Sequence, residues 1–353
     1  MNNLTEISIT LRKLVYIVIL AIISFFFLRI LVNYIVDRQK SVITPVPIIP
    51  DVRFGKIPQP VFSTIQKSSS GLKFILRNVE SRPPETTSAA QVYFMPKRLQ
   101  SLLSLEKASQ FATDLGFTNE PQAVDPSTNL YRHPSDPQKT LILNTVNMNF
   151  QLKYDYSQNP GFFENAIIQS KDKVITESVS YIQTLGAFDD TIIKGRVTAE
   201  ILFYDKTDKK LKPASSISKA QAVRINFFRN DIEGLPVVPP QFNKNYNYVL
   251  YSPTSPTGNK ILELSYIYWP IDESNYASYP LRNSDSAWQD LIDGYAVVVQ
   301  YDGDFSQDIV IRKIYLAYYD SEVSQDYLQP VFVFEGENNF AAFLPAITSE
   351  WLE

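Results

Sequence analysis

The chain has 353 residues, 44% apolar and 13% aromatic, with 33 basic against 37 acidic side chains and a single histidine. A net charge of −4 and the lack of any cysteine exclude a broad basic surface for nucleic acid, disulfides, thiol catalysis and every cysteine-based metal site. Less an amino-terminal stretch of about 50 residues, the length suffices for one large or two medium domains.

Residues 14–36, LVYIVILAIISFFFLRILVNYIV, come directly after the basic pair Arg12 and Lys13. A helix that long reaches roughly 34 Å at about 1.5 Å per residue, enough for a hydrocarbon core of about 30 Å, so the run predicts one transmembrane helix. Arg29 and Asn33 interrupt its last third; an arginine stem snorkels to the interface there, or both side chains contact another helix in the membrane. A cleaved signal peptide is the competing reading, because the apolar core proper is only residues 14–28, but no small-x-small site succeeds it. Arg29, Arg38 and Lys40 stand at or beyond the far end, so flanking charge leaves the orientation open. Residues 1–13 are too short for a domain and are expected as a cytoplasmic stub, with the chain beyond the signal-anchor exported. An ectodomain of this size without disulfides fits a bacterial envelope.

Residues 37–62 carry Pro45, Pro47, Pro50, Pro58 and Pro60, which fix φ and remove donors; they predict a semi-rigid, polyproline-like tether. For residues 54–62 an irregular strip on the domain surface is the alternative, since Phe54 and Phe62 favour burial. From there the spacing predicts an α+β domain of antiparallel sheets packed with three helices, in two lobes, 63–230 and 231–353. Strands are expected at 72–79, 90–96, 129–134, 140–156 (a pair or one long bent strand), 196–205, 221–230, 248–253, 261–271, 309–320 and 329–336. A helix is expected over 104–117, with Ser104 as N-cap, Leu105, Ala108, Phe111, Ala112 and Leu115 on its apolar face, and Gly116 as stop. A second helix is expected over 161–188, with Phe163, Ala166, Ile167, Val174, Ile182 and Leu185 on one face and Gly186 near its end. A third spans 285–296 and ends at Gly294, before two strands and a tail, FAAFLPAITSEWLE. A helix succeeded by strands thus recurs from 104, 161 and 285, at a spacing too irregular for a solenoid.

The third unit reads AWQDLIDG and then IRKIYLAYYDSEVSQDYLQPVFVFEG. Over residues 279–336, and in its single-span layout, the chain resembles bacterial YycH/YycI-type regulatory ectodomains and, more loosely, PepSY-like domains. That resemblance implies a binding or regulatory role beside a sensor kinase or another envelope protein. It carries over no binding residue, and neither the proline-rich tether nor the middle lobe has a counterpart in it.

Chemistry is sparse. His133, in YRHPSDP, has no Gly-x-Ser-x-Gly elbow to serve, and one histidine without cysteine cannot build a zinc site. YDGDFSQD at 301–308 places Asp302, Asp304 and Asp308 in a loop but lacks the glycine and glutamate of an EF-hand, and DKTDKKLK at 205–212 crowds its acids with lysines; both read as hairpin turns. No glycine-rich phosphate loop occurs, and acids such as Asp189, Asp190 and Glu233 cannot be paired by spacing. Neither cofactor nor metal is expected. The aromatic strips remain: Tyr266, Tyr268 and Trp269 in one stretch, Tyr315, Tyr318 and Tyr319 in another. As strands they either rim a core or line a groove that takes a peptide by strand addition or a glycan by stacking. The groove reading expects Tyr268→Ala and Tyr319→Ala to spare the fold and abolish partner binding. The functional expectation is an extracytoplasmic binding or regulatory protein, not an enzyme; a cell-wall or glycan hydrolase with paired carboxylates and a structural subunit of an envelope assembly are the alternatives.

Overall fold

The computed structural model describes residues 18, 20–22, 24–25, 27–29 and 49–353. The residues of this set before 30 are helical. Among the described residues no helix is long and apolar enough to cross a membrane; most of the predicted span, Asn33 included, lies outside them.

Residues 48–353 form one compact unit. In chain order its elements are β1 (Lys67–Ser68), β2 (Phe74–Leu76), β3 (Ala89–Phe94), α1 (Ser104–Asp114), β4 (Gln122–Asp125), β5 (Thr128–Arg132), β6 (Lys139–Asn144) and β7 (Phe150–Tyr154). Then come α2 (Lys171–Leu185), α3 (Asp190–Ile193), β8 (Val197–Asp205), β9 (Lys210–Pro213), β10 (Ala222–Phe227), β11 (Val237–Val238), β12 (Tyr248–Tyr251) and β13 (Ile261–Tyr266). The last third adds β14 (Asp272–Pro280), α4 (Ser284–Asp293), β15 (Val297–Gln300), β16 (Ile309–Tyr319), β17 (Tyr327–Leu328), β18 (Pro330–Gly336) and β19 (Ala341–Pro345). The fold is α+β and dominated by sheet.

Two large sheets organise it. One has nine antiparallel strands in the order β4-β5-β6-β7-β13-β12-β10-β8-β9. The other has seven, β1-β15-β19-β18-β16-β11, with β2 also parallel to the start of β16. A three-stranded sheet, β14-β3-β17, completes the unit. Residue 230 separates neither large sheet: β12 and β13 join strands from the first half of the chain, and β1 and β2 join those of the second.

Several expectations are corrected. The helix expected over 161–188 is interrupted. Pro160 opens a 3-10 turn at Pro160–Asn165, Ala166 is extended, and α2 starts only after Ser170, whose hydroxyl accepts from the Lys173 N–H at 3.5 Å. Ile167, assigned to the apolar face, is therefore 74% exposed. Ser104 is the first helical residue rather than the cap, and Leu105 is exposed. Residues 49–62 lie on the domain, for 54–62 as the alternative of a surface strip expects: Ile57 is fully buried and bridges Leu352, while Phe62 packs on Tyr319 and Phe343. The tail contains β19, which pairs with both β15 and β18.

Candidate functional site

Helices α1 and α2 cover one face of the nine-stranded sheet. Ala108, Ala112, Val174 and Ile182 pack there on Leu141, Leu143, Leu152, Ile225, Val249 and Leu264. Because side chains alternate along a strand, the residues between them point away from the helices. Register places Thr140, Lys153, Glu263, Leu250, Arg224 and Glu200 in one row across six strands. A second row is Ile142, Gln151, Ser265, Tyr248, Asn226 and Thr198. The face opposite α1 and α2 thus carries two cationic and two anionic side chains in alternation, and over its middle the 3-10 turn Pro160–Asn165 seats Phe163 among Leu202, Ala222, Tyr248 and Leu250.

The face is ordered by its own contacts. The Arg224 guanidinium lies 3.5 Å from the centroid of the Tyr248 ring, donates from Nε to Asn226 Oδ1 at 3.0 Å and from Nη2 to the Asn245 carbonyl at 2.9 Å. The Tyr248 hydroxyl donates to Glu263 Oε2 at 2.7 Å; burial, and then the Glu263 carboxylate, push that phenol above its ordinary range. Lys244 pairs with Glu200 at 3.4 Å, and Lys153 is exposed. Three clefts run along this face. One of about 550 Å³ is lined by Arg132, Lys153, Tyr156 and Glu263. A small one of about 140 Å³ is lined by Gln151, Arg224 and Tyr248. The third, about 780 Å³, is lined by Arg196, Thr198, Glu200 and Asn226, with Gln300 of β15 and Asn339 of the turn between β18 and β19. Fixed donors, acceptors and opposite charges of this kind match a polar partner surface in register.

The two large sheets are joined by a buried ion pair. Arg229, just past β10, meets Asp320, just past β16, from Nε at 3.2 Å and Nη2 at 3.4 Å, and both side chains are under 5% exposed. Arg229 also donates to the Trp269 carbonyl at 2.8 Å, and its guanidinium lies 4.7 Å from the Tyr268 ring centroid. Burial opposes its charge, but Asp320 outweighs that and holds Arg229 above its usual range. Nearby, Gly195 passes so close to the chain that a Cβ would sit 1.8 Å from the Phe228 carbonyl oxygen; only glycine fits.

The predicted aromatic groove does not form. Tyr266 and Tyr268 belong to the helix-side core of the nine-stranded sheet, with the Tyr266 oxygen accepting from the Asp189 N–H at 3.1 Å. Trp269 donates from Nε1 to the Glu322 carbonyl at 3.2 Å. Tyr319 and half-buried Tyr315 sit in the outer core of the seven-stranded sheet, and Tyr318 in a third cluster with Tyr93. With Tyr268 at 8% and Tyr319 at 1% exposure, truncating either opens a core, which corrects the expectation that the fold would survive untouched. Arg29 is helical; Asn33 is outside the described residues.

His133 is half-buried, edge-on to Phe117, with Nδ1 3.3 Å from the Ser135 hydroxyl. Among the described residues no group of three acidic or histidine side chains could hold a metal. A glycosidase needs a carboxylic acid held above its ordinary range. The displaced carboxyls go the other way. Burial pushes Asp189 up, but hydrogen bonds from Thr191 outweigh it and leave it lowered; the Tyr251 hydroxyl lowers Glu177, and Lys212 lowers Asp205.

No family model matches the chain, and no curated protein matches it. Among solved structures it is similar to an uncharacterized protein from Eubacterium rectale ATCC 33656, with a TM-score of 0.39, 13% identity, and coverage of 77% of this chain and 87% of that one. It is also similar to the Bacillus megaterium YpeB C-terminal domain, with a TM-score of 0.30, 10% identity, and coverage of 72% and 95%. Likenesses that distant assign neither family nor role.

Proposed function

We propose that this chain is a single-span, extracytoplasmic binding protein of a bacterial envelope, amino terminus inside, which regulates another envelope protein by holding it on the charged face of the nine-stranded sheet, opposite α1 and α2. The observation that carries this reading is the first cross-strand row, where Lys153, Glu263, Arg224 and Glu200 alternate in charge on the face opposite α1 and α2. The apolar run at 14–36 supports the anchor, and the resemblance of residues 279–336 to YycH/YycI-type and PepSY-like ectodomains agrees with a regulatory role. Turnover of a substrate gains no support from carboxyls held below their ordinary range.

A photo-crosslinking residue at Ile142, 40% exposed on this face, tests the reading in native membranes. The expected result is a discrete adduct that weakens roughly tenfold when Lys153→Glu reverses a charge beside it. Equal adducts from Gln110, on the helix-covered side, or indifference to the reversal, would sink the assignment of this face.

A further inference from the structure

The stretch from Lys97 to Lys107 reads KRLQSLLSLEK, and its leucines face water. Leu99 is 86% exposed, Leu102 103%, Leu103 55% and Leu105 56%. Helix α1 does not need them, for it seats on Ala108 and Ala112, with Phe111 and Leu115 half-buried beside them. Four adjacent exposed leucines exceed the scattered single apolar residues of an ordinary surface. Their rim is basic: Lys97, Arg98 and Lys107 stand against Glu106 and the Asp326 that pairs with Lys97, a local charge of +1. Lys97 remains 65% exposed while paired with Asp326, and Arg98 donates to the Asn147 carbonyl at 3.0 Å, so the segment is tied down at its start with its leucines turned outward.

We infer that residues 97–105 are a second membrane contact, which seats the leucines at the headgroup boundary of an anionic bilayer while Lys97, Arg98 and Lys107 meet the lipid phosphates. Apolar burial and basic rim together match that surface, as each alone does not. The inference rests on the proposed anchor, which keeps the domain within reach of the lipid. Contact there would fix the orientation of the nine-stranded sheet above the bilayer.

The absence of cysteine makes the test clean. The full chain carries one nitrobenzoxadiazole dye at Leu102→Cys, at Leu20→Cys in the apolar run, or at Ile217→Cys near the β9 edge, and is reconstituted in vesicles of phosphatidylglycerol and phosphatidylcholine in equal parts. The dye at 102 is expected to shift to the blue and to be quenched by brominated lipid, like the dye at 20, while the dye at 217 keeps its emission in water. Neutralising Lys97, Arg98 and Lys107 to Gln is expected to cut the quenching at 102 about threefold. Quenching at 20 without quenching at 102 overturns this inference and leaves the anchor standing; no quenching at either site overturns both. A blue shift at 102 without lipid quenching, or quenching equally strong in pure phosphatidylcholine, also overturns it, the former in favour of a protein partner on the leucines.

Discussion

Residues 330–334 of β18 are buried without a break, whereas β7 alternates buried Phe150, Leu152 and Tyr154 with half-buried Gln151 and exposed Lys153. The first pattern belongs to a sheet hidden on both faces. On one side of the seven-stranded sheet, α4 and the strand β14 contribute Ala287, Leu291 and Tyr279 to a core with Phe332 and Phe334; on the other, Phe62 and Phe242 cap Val331, Val333 and Phe343. The second pattern belongs to a strand with one side open to water; farther along the same sheet, β12 is buried on both sides. Residues 49–62 help close the first sheet, whereas on the second the turn at Pro160–Asn165 and the loop carrying Asn245 close only the middle of the outer face, around Tyr248 and Leu250, and leave Lys153 and Ile142 exposed. A sheet with two buried faces has little surface to offer, which is why the proposed binding face is the part of the other sheet left open to water.

The largest effect is expected where the two sheets meet. Arg229→Ala leaves Asp320 buried without its partner and frees the Trp269 carbonyl, which costs about 3–5 kcal/mol. Urea unfolding checks this, and a midpoint shift worth less than about 1 kcal/mol would show that water or another cation already compensates Asp320. Asp320→Asn, which keeps shape and removes charge, is expected to fall in the same direction but less far.

A smaller effect separates the sheets themselves. Val333→Ala removes two methyl groups from a fully buried site between β16 and β19, at about 2 kcal/mol. At the open end of the charged face, Ile142→Ala is expected to cost less than about 1 kcal/mol, because the side chain is already 40% in water. Equal losses would mean that the β6–β7 end of the rows is covered as well and would end the contrast drawn between β7 and β18.

Much of this is legible in the residues and some is not. Gly186 and Gly294 sit in left-handed conformations at the ends of α2 and α4, as their positions predict, because glycine is the residue that adopts them freely. The start of α2 is hidden because Phe163, Ala166 and Ile167 happen to continue its helical spacing, while Pro160 and Ser170 hold the local hydrogen bonds of a separate turn and a cap. FAAFLP reads as tail because it does not alternate; that is how a strand buried on both faces looks. The charged rows escape a linear reading because each strand shows only one or two of their members. Arg224, Glu263 and Lys153 are 110 positions apart at the extremes and become neighbours only through register. The tyrosines draw the eye instead, although aromatic rings in strands more often fill cores than line grooves.

The smallest effect is a titration at the edge of the charged face. Tyr156 lines the cleft beside Lys153 and Glu263, and burial first, then the Glu263 carboxylate, raise its phenol from 10.0 to about 12. The folded chain therefore holds this proton more tightly than the unfolded one, so the stabilisation is complete below pH 10 and is lost as pH rises from 10 toward 12. Tyr156→Phe, which cannot ionise, is expected to flatten that part of the alkaline decline in the urea midpoint, while leaving the midpoint near neutral pH almost unchanged. A partner that closes over the rows buries the hydroxyl further and moves its phenolate absorbance to still higher pH. If Tyr156 instead titrates at the ordinary value in the free protein, this end of the sheet is wetter than its packing against Phe163 and Tyr204 implies, and the polar face extends past β7.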